Sequence, residues 1–186
     1  MRTFIAVDLP PELKTNLLDL IRRLKGKGGD VKWVGDHGLH LTLKFLGEIS
    51  PEEARTAESV LRDVAGRQEA FPLEVKGTGV FPPGAKSPRV LWTDIVAGPT
   101  LAVLQNALEL ELEKAGFPRE ERPFRPHLTL GRVKSPRGLP DTLAELERHR
   151  ETLFGRMTVS RLTFFQSTLR PTGAEYSVLA EAELRC

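Results

Sequence analysis

Two histidines in this chain are each followed by the same three residues, giving His40-Leu41-Thr42-Leu43 and His127-Leu128-Thr129-Leu130. Both tetrapeptides lie in runs rich in Leu, Thr, Phe and Val, which read as strand rather than helix. Residues two apart in a strand share a face, so each copy sets an imidazole beside a hydroxyl on one surface and two leucines on the other. Imidazoles titrate at about pH 6.5, and a pair can therefore hold one neutral base and one protonated acid. Brought to one phosphodiester, the neutral ring would take a proton from the attacking water or hydroxyl while the imidazolium protonates the leaving oxygen. The threonine hydroxyls would donate hydrogen bonds to the non-bridging oxygens. That chemistry requires no metal and no cofactor.

One such motif alone would read as a polar residue at a sheet edge beside a good strand former. Two identical motifs favour catalysis. The competing metal reading pairs His37 with His40, but an i, i+3 pair on a strand points to opposite faces, and threonine is not a usual zinc ligand. Only a folded loop at residues 35–38 could bring that pair together. Strand alternation also ranks the nearby cations: Lys44 shares the face of His40 and Thr42, and Arg125 that of His127 and Thr129, so both are candidate substrate contacts. Arg132 has the parity of the leucines and points away unless Gly131 permits a bulge. Phe45, Phe124 and Trp92 are expected in the core, with stacking on a base as the alternative role. His149, inside the charged run 147–151, is expected to be solvated.

These residues need elements to position them. Residues 3–9 read as a buried strand and 11–25 as a helix with Leu13, Leu17, Leu20, Ile21 and Leu24 on one stripe. After the first motif, Ser50-Pro51-Glu52-Glu53 supplies an N-cap serine, a first-turn proline and a capping-box glutamate for a helix over 51–66. Its buried stripe is Ala54, Ala57, Val60, Leu61 and Val64. The order then recurs: a strand at 89–96, a helix at 99–115 ended by Gly116, the second motif, and a helix at 139–150. The two histidines are 87 residues apart (127 − 40), and the flanking elements keep nearly that offset. Extended chain follows each unit, at 71–81 and 157–183. The expected fold is therefore α+β, a bilobal duplication with pseudo-two-fold symmetry. Two mainly antiparallel sheets with outer helices would flank a central cleft, in one domain with sequence halves of about 1–86 and 87–186. The turn-rich stretch 81–88 is the expected crossing.

The chain has 186 residues, 40% hydrophobic and 28% charged, with a formal net charge of +2. That charge is too small for tight binding to a long duplex and favours a small or terminal substrate. The one cysteine, Cys186, excludes an intrachain disulfide. The first residues read as a strand rather than a signal segment, and no apolar run is long enough to cross a bilayer. Cytoplasm is the expected compartment.

With these flanks, Leu39 to Gly47 and Phe124 to Arg132, together with the opening residues Met1 to Val7, the chain resembles the two-histidine phosphoesterase superfamily. Within it, the resemblance is to the RNA 2′,3′-cyclic phosphodiesterases, also called the 2′-5′ RNA ligase family. It implies a bilobal α+β fold and metal-independent opening of RNA 2′,3′-cyclic phosphate ends to 2′-phosphomonoesters. His40 matches the proton donor to the 3′ oxygen, and His127 the base that activates water. Thr42 and Thr129 match the phosphate-binding hydroxyls, and Arg132 an arginine found after the second motif, against the parity argument. The family also implies ATP-independent 2′-5′ joining of RNA, the same chemistry with a ribose hydroxyl replacing water. The expected partner is an RNA terminus, with no membrane and no obligate protein. Two alternatives remain: a non-catalytic module that binds RNA ends or nucleotides, and a phosphodiesterase for another cyclic phosphate or a 2′-5′ oligonucleotide.

Overall fold

The computed structural model describes residues 1–186. In chain order the elements are β1 (Arg2–Asp8), α1 (Pro11–Lys25), β2 (Val31–Trp33), β3 (His40–Glu48), α2 (Pro51–Arg67), β4 (Phe71–Phe81) and β5 (Val90–Val96). They continue with α3 (Gly98–Lys114), β6 (His127–Val133), α4 (Leu139–Glu147), β7 (Leu153–Val159), β8 (Arg161–Arg170) and β9 (Gly173–Glu183). None of the helices is long and apolar enough to cross a membrane.

The helices form where the apolar spacing places them. In α1 the five buried residues are Leu13, Leu17, Leu20, Ile21 and Leu24, the stripe expected from the sequence, with prolines holding its first turn. Each buried side chain contributes about 1.5–3 kcal/mol, so this stripe fixes the helix on the sheets. In α2 the Ser50 hydroxyl accepts from the Glu53 N–H at 3.1 Å while the Glu53 carboxylate accepts from the Ser50 N–H at 2.7 Å. That reciprocal box satisfies two of the donors a helix start leaves open. Its buried residues are Ala57, Leu61, Val64 and Ala65, while Ala54 and Val60 are only partly covered. The last helix stops at Glu147, three residues before its expected end, and gives way to turns. His149 falls in those turns rather than on a solvated helix face: its ring is largely covered, with Nε2 3.5 Å from Glu145.

Every strand pairing between these elements is antiparallel, in two sheets of order β3-β1-β8-β9 and β2-β6-β5-β4-β7. The extended chain that trails each sequence half is exchanged. The strand β4, from the first half, pairs with β5 of the second, while β8 returns from the second half to pair with β1. Each sheet thus carries one motif strand, β3 or β6, and these two strands approach within 8 Å Cα to Cα. Leu41, Leu43, Leu128 and Leu130 all enter one continuous core that the helices cover. The short β2, not foreseen from the sequence, borders β6, with Trp33 opposite Gly131. A Cβ at position 131 would lie 2.6 Å from a Val31 methyl, so β2 can close on β6 only with glycine there.

Candidate active site

A β-bulge interrupts both motif strands at the same place. Along β3, Ala6 pairs with Thr42 and Ile5 with Lys44, leaving Leu43 as the extra residue. Along β6, Trp92 pairs with Thr129 and Leu91 with Gly131, leaving Leu130 as the extra residue. A bulge inverts the side-chain alternation beyond it. Before the bulge, His40 and Thr42 share one face, as do His127 and Thr129. After it, the next residues on those same faces are Phe45 and Arg132.

The inversion corrects two expectations. Lys44 turns to the core face with Ile5, away from the face that carries His40 and Thr42. Its Nζ donates to Glu109 Oε2 at 2.8 Å and to the Pro118 carbonyl at 2.7 Å, and it is only 5% exposed. Arg132, expected to point away with the leucines, instead lies on the face of Thr129 and is exposed, because the Leu130 bulge restores its direction. Arg125 precedes β6, so strand parity does not apply to it. Its side chain is exposed, and its backbone carbonyl meets the His127 ring.

His127 is exposed, and its Nδ1 lies 2.7 Å from the Arg125 carbonyl. A carbonyl only accepts, so Nδ1 carries the hydrogen and the neutral ring presents Nε2 as its lone pair. His40 is more enclosed. Its ring stacks on Phe4 at 4.7 Å and 25°, lies 5.7 Å from Phe165, and meets Tyr176 edge-on at 5.2 Å and 80°. Burial in this wall lowers the His40 pKa below the ordinary 6.5, against the raising effects of a hydrogen bond to the His37 backbone and of the Asp8 carboxylate, while nearby Lys14 lowers it further. His37 itself sits in a single 3-10 turn, Asp36–Gly38.

Phe4, Phe165 and Tyr176 had no signal in a local sequence window, because they come from β1, β8 and β9 and meet only through sheet pairing. A further repeated feature does have a trace in the sequence. Asp8 stands opposite His40 and Asp94 opposite His127, 86 residues apart (94 − 8). Each carboxylate accepts from the next backbone N–H, at 3.0 Å from Leu9 and 2.9 Å from Ile95. Trp92 departs from its expected core role: it pairs with Thr129 on the cleft side, its indole lying over Gly79, where a Cβ would be 2.2 Å from the ring. Phe124 does pack against the core, and Phe45 is 65% exposed.

Paired imidazoles and hydroxyls at matched positions of a duplicated, bulged-strand α+β scaffold define the two-histidine phosphoesterase class. Residues 9–170 match the 2′-5′ RNA ligase superfamily, and the chain belongs to that family. It is 39% identical over 178 residues to a protein of Methanothermobacter thermautotrophicus named RNA 2′,3′-cyclic phosphodiesterase, covering 95% of each chain. Among solved structures, one from Thermus thermophilus matches with a TM-score of 0.85 and 32% identity, over 100% of this chain and 98% of that one. The complex of E. coli LigT with 3′-AMP matches with a TM-score of 0.78 and 27% identity, over 98% of this chain and 97% of that one.

Proposed function

We propose that this protein opens 2′,3′-cyclic phosphates at RNA ends to 2′-phosphomonoesters by acid–base catalysis between His40 and His127. The observation that carries the reading is the matched pair of strands, each placing an imidazole and a hydroxyl on the same face ahead of an identical bulge.

In this reaction His127 Nε2 takes a proton from water as its oxygen attacks phosphorus, opposite the bond to O3′. The phosphorus–O3′ bond breaks, and His40 gives its proton to O3′. The phosphate stays on O2′. The tautomer of His127, set by the Arg125 carbonyl, leaves the correct nitrogen free to act as the base. Burial opposes the proton that His40 must carry. The negative charge of a bound phosphodiester offsets this effect, because an opposite charge within a few ångströms favours the imidazolium. Thr42 and Thr129 donate to the two non-bridging oxygens, and Arg132 adds positive charge from the β6 side. Replacing water by the 5′-hydroxyl of a second RNA gives a 2′-5′ linkage through the same proton transfers. A single exposed cysteine, Cys186, suits a reducing compartment, and we place the reaction in the cytoplasm.

Incubating the protein with an RNA ending in 2′,3′-cyclic phosphate, in the presence of EDTA, tests this reading. The expected product carries a 2′-phosphate only. Unchanged substrate, or a 3′-phosphate product, would overturn it.

A further inference from the structure

The two lobes repeat a carboxylate beside each histidine, but only one of these carboxylates holds a cation. Asp8 and His40 are direct cross-strand partners, as are Asp94 and His127, a relation that brings Cβ atoms to about 4.5–5.5 Å. Asp8 is bound by Lys14, whose Nζ lies 3.0 Å from Oδ1. Asp94 accepts only from the Ile95 N–H. The residue six after Asp94, where Lys14 stands six after Asp8 (100 − 94 and 14 − 8), is Thr100. We propose that Lys14 is a positioning residue for the proton transfer to O3′: it occupies the Asp8 carboxylate, so that Asp8 does not close on the His40 imidazolium and retain its proton. This inference rests on the function proposed above.

The reaction asks opposite things of two identical motifs. His127 starts neutral and gains a positive charge as it deprotonates water, and a neighbouring carboxylate with no counter-ion of its own favours that charge. His40 starts as the imidazolium and must release its proton as the phosphorus–O3′ bond breaks. A carboxylate paired with it would favour the charged ring and oppose the release. The duplicated scaffold supplies an aspartate on both sides, and a lysine carried by α1, outside both motif strands, distinguishes them.

The surroundings of His40 leave its charge to these two groups. Asp8 of β1 favours the imidazolium, and Lys14 of α1 disfavours it. The 3-10 turn supplies only the His37 backbone, β1 and β8 the Phe4 and Phe165 rings, and β9 the Tyr176 phenol, which meets the imidazole edge-on. A phenol stays neutral until about pH 10 and adds no charge at the working pH. Nor does the fold require the ion pair. The Asp8 side chain is 47% exposed, and a pair with so exposed a partner adds little to stability. The leucine stripe of α1 already fixes the helix.

Following the His40 ring by NMR across pH in the wild type, Lys14→Met, Lys14→Arg and Asp8→Asn tests the proposal without requiring turnover. The pH profiles of kcat/KM for the same proteins carry it to the reaction, and a thermal melt confirms folding. Lys14→Met frees Asp8, so the ring titration and the alkaline limb should both move to higher pH, and kcat read below the limb should fall. Asp8→Asn should move both to lower pH, and Lys14→Arg should restore the wild-type titration. A His40 titration that stays fixed in Lys14→Met, one that moves the same way in Lys14→Met and Asp8→Asn, or an unchanged kcat in Lys14→Met would overturn the role. Ring titrations that move as expected in a protein that opens no cyclic phosphate would refute the proposed reaction and leave the action of Lys14 on Asp8 and His40 standing.

Discussion

The buried pair Lys44–Glu109 offers a sharp prediction, because it was a candidate phosphate contact by alternation and is a structural node in the fold. Both side chains are about 5% exposed or less, and the Nζ to Oε2 distance is 2.8 Å. Lys44→Met removes one charge and leaves the Glu109 carboxylate with only the Gln105 side chain at 3.4 Å and the Glu120 N–H at 3.1 Å. An uncompensated charge at such depth costs about 3–5 kcal/mol. For a chain of this length each kcal/mol moves the melting temperature by about 2–4 °C, so the variant should melt roughly 6–20 °C lower. Glu109→Leu should cost at least as much, since Lys44 then keeps only the Pro118 carbonyl. The double variant replaces the pair by apolar groups. It should recover to within about 1–2 kcal/mol of wild type, the residue of the loss being hydrogen bonds to the exposed loop at Pro118 and Glu120. Urea denaturation of the four proteins gives the coupling directly. A wild-type midpoint for Lys44→Met, or single losses that simply add in the double variant, would refute the reasoning. A large rise in KM for the folded double variant would return Lys44 to the substrate.

The His40 wall predicts a pH effect. If His40 must be protonated in the free enzyme, the alkaline limb of kcat/KM follows its pKa and lies below 6.5. Tyr176→Ala admits water, relieves desolvation and raises that pKa, so the limb should move to higher pH; a limb that stays fixed or moves to lower pH contradicts the assignment. Thr42→Val and Thr129→Val keep strand preference while deleting one donor each, and each should lower kcat by about 10²-fold. Rates of either variant within twofold of wild type would remove that hydroxyl from the mechanism.

Much of this was legible in local sequence because it depends on local physics. The stripe of α1 follows from 3.6-residue periodicity, and the start of α2 from the chemistry of Ser50 and Glu53. The leucines of both motifs are buried as period-2 alternation requires. The bulges were not legible, since Leu43 and Leu130 read like regular strand residues, and the displaced parity of Lys44, Phe45 and Arg132 followed from missing them. Gly131 was the one hint, and its meaning depends on β2, three residues too short to recognise by pattern. The exchange of β4 and β8 between sheets, and the wall around His40, are set by pairings between distant segments. No window along the chain contains them.

The central claim is that both imidazoles act on one phosphorus atom. Titrating adenosine 2′-monophosphate into the isotopically labelled protein, and following the ring resonances of all four histidines by NMR, measures this directly. The account predicts that His40 and His127 shift together along one binding curve while His149 stays still. A response from only one of the two catalytic rings, or two curves with different midpoints, would contradict it.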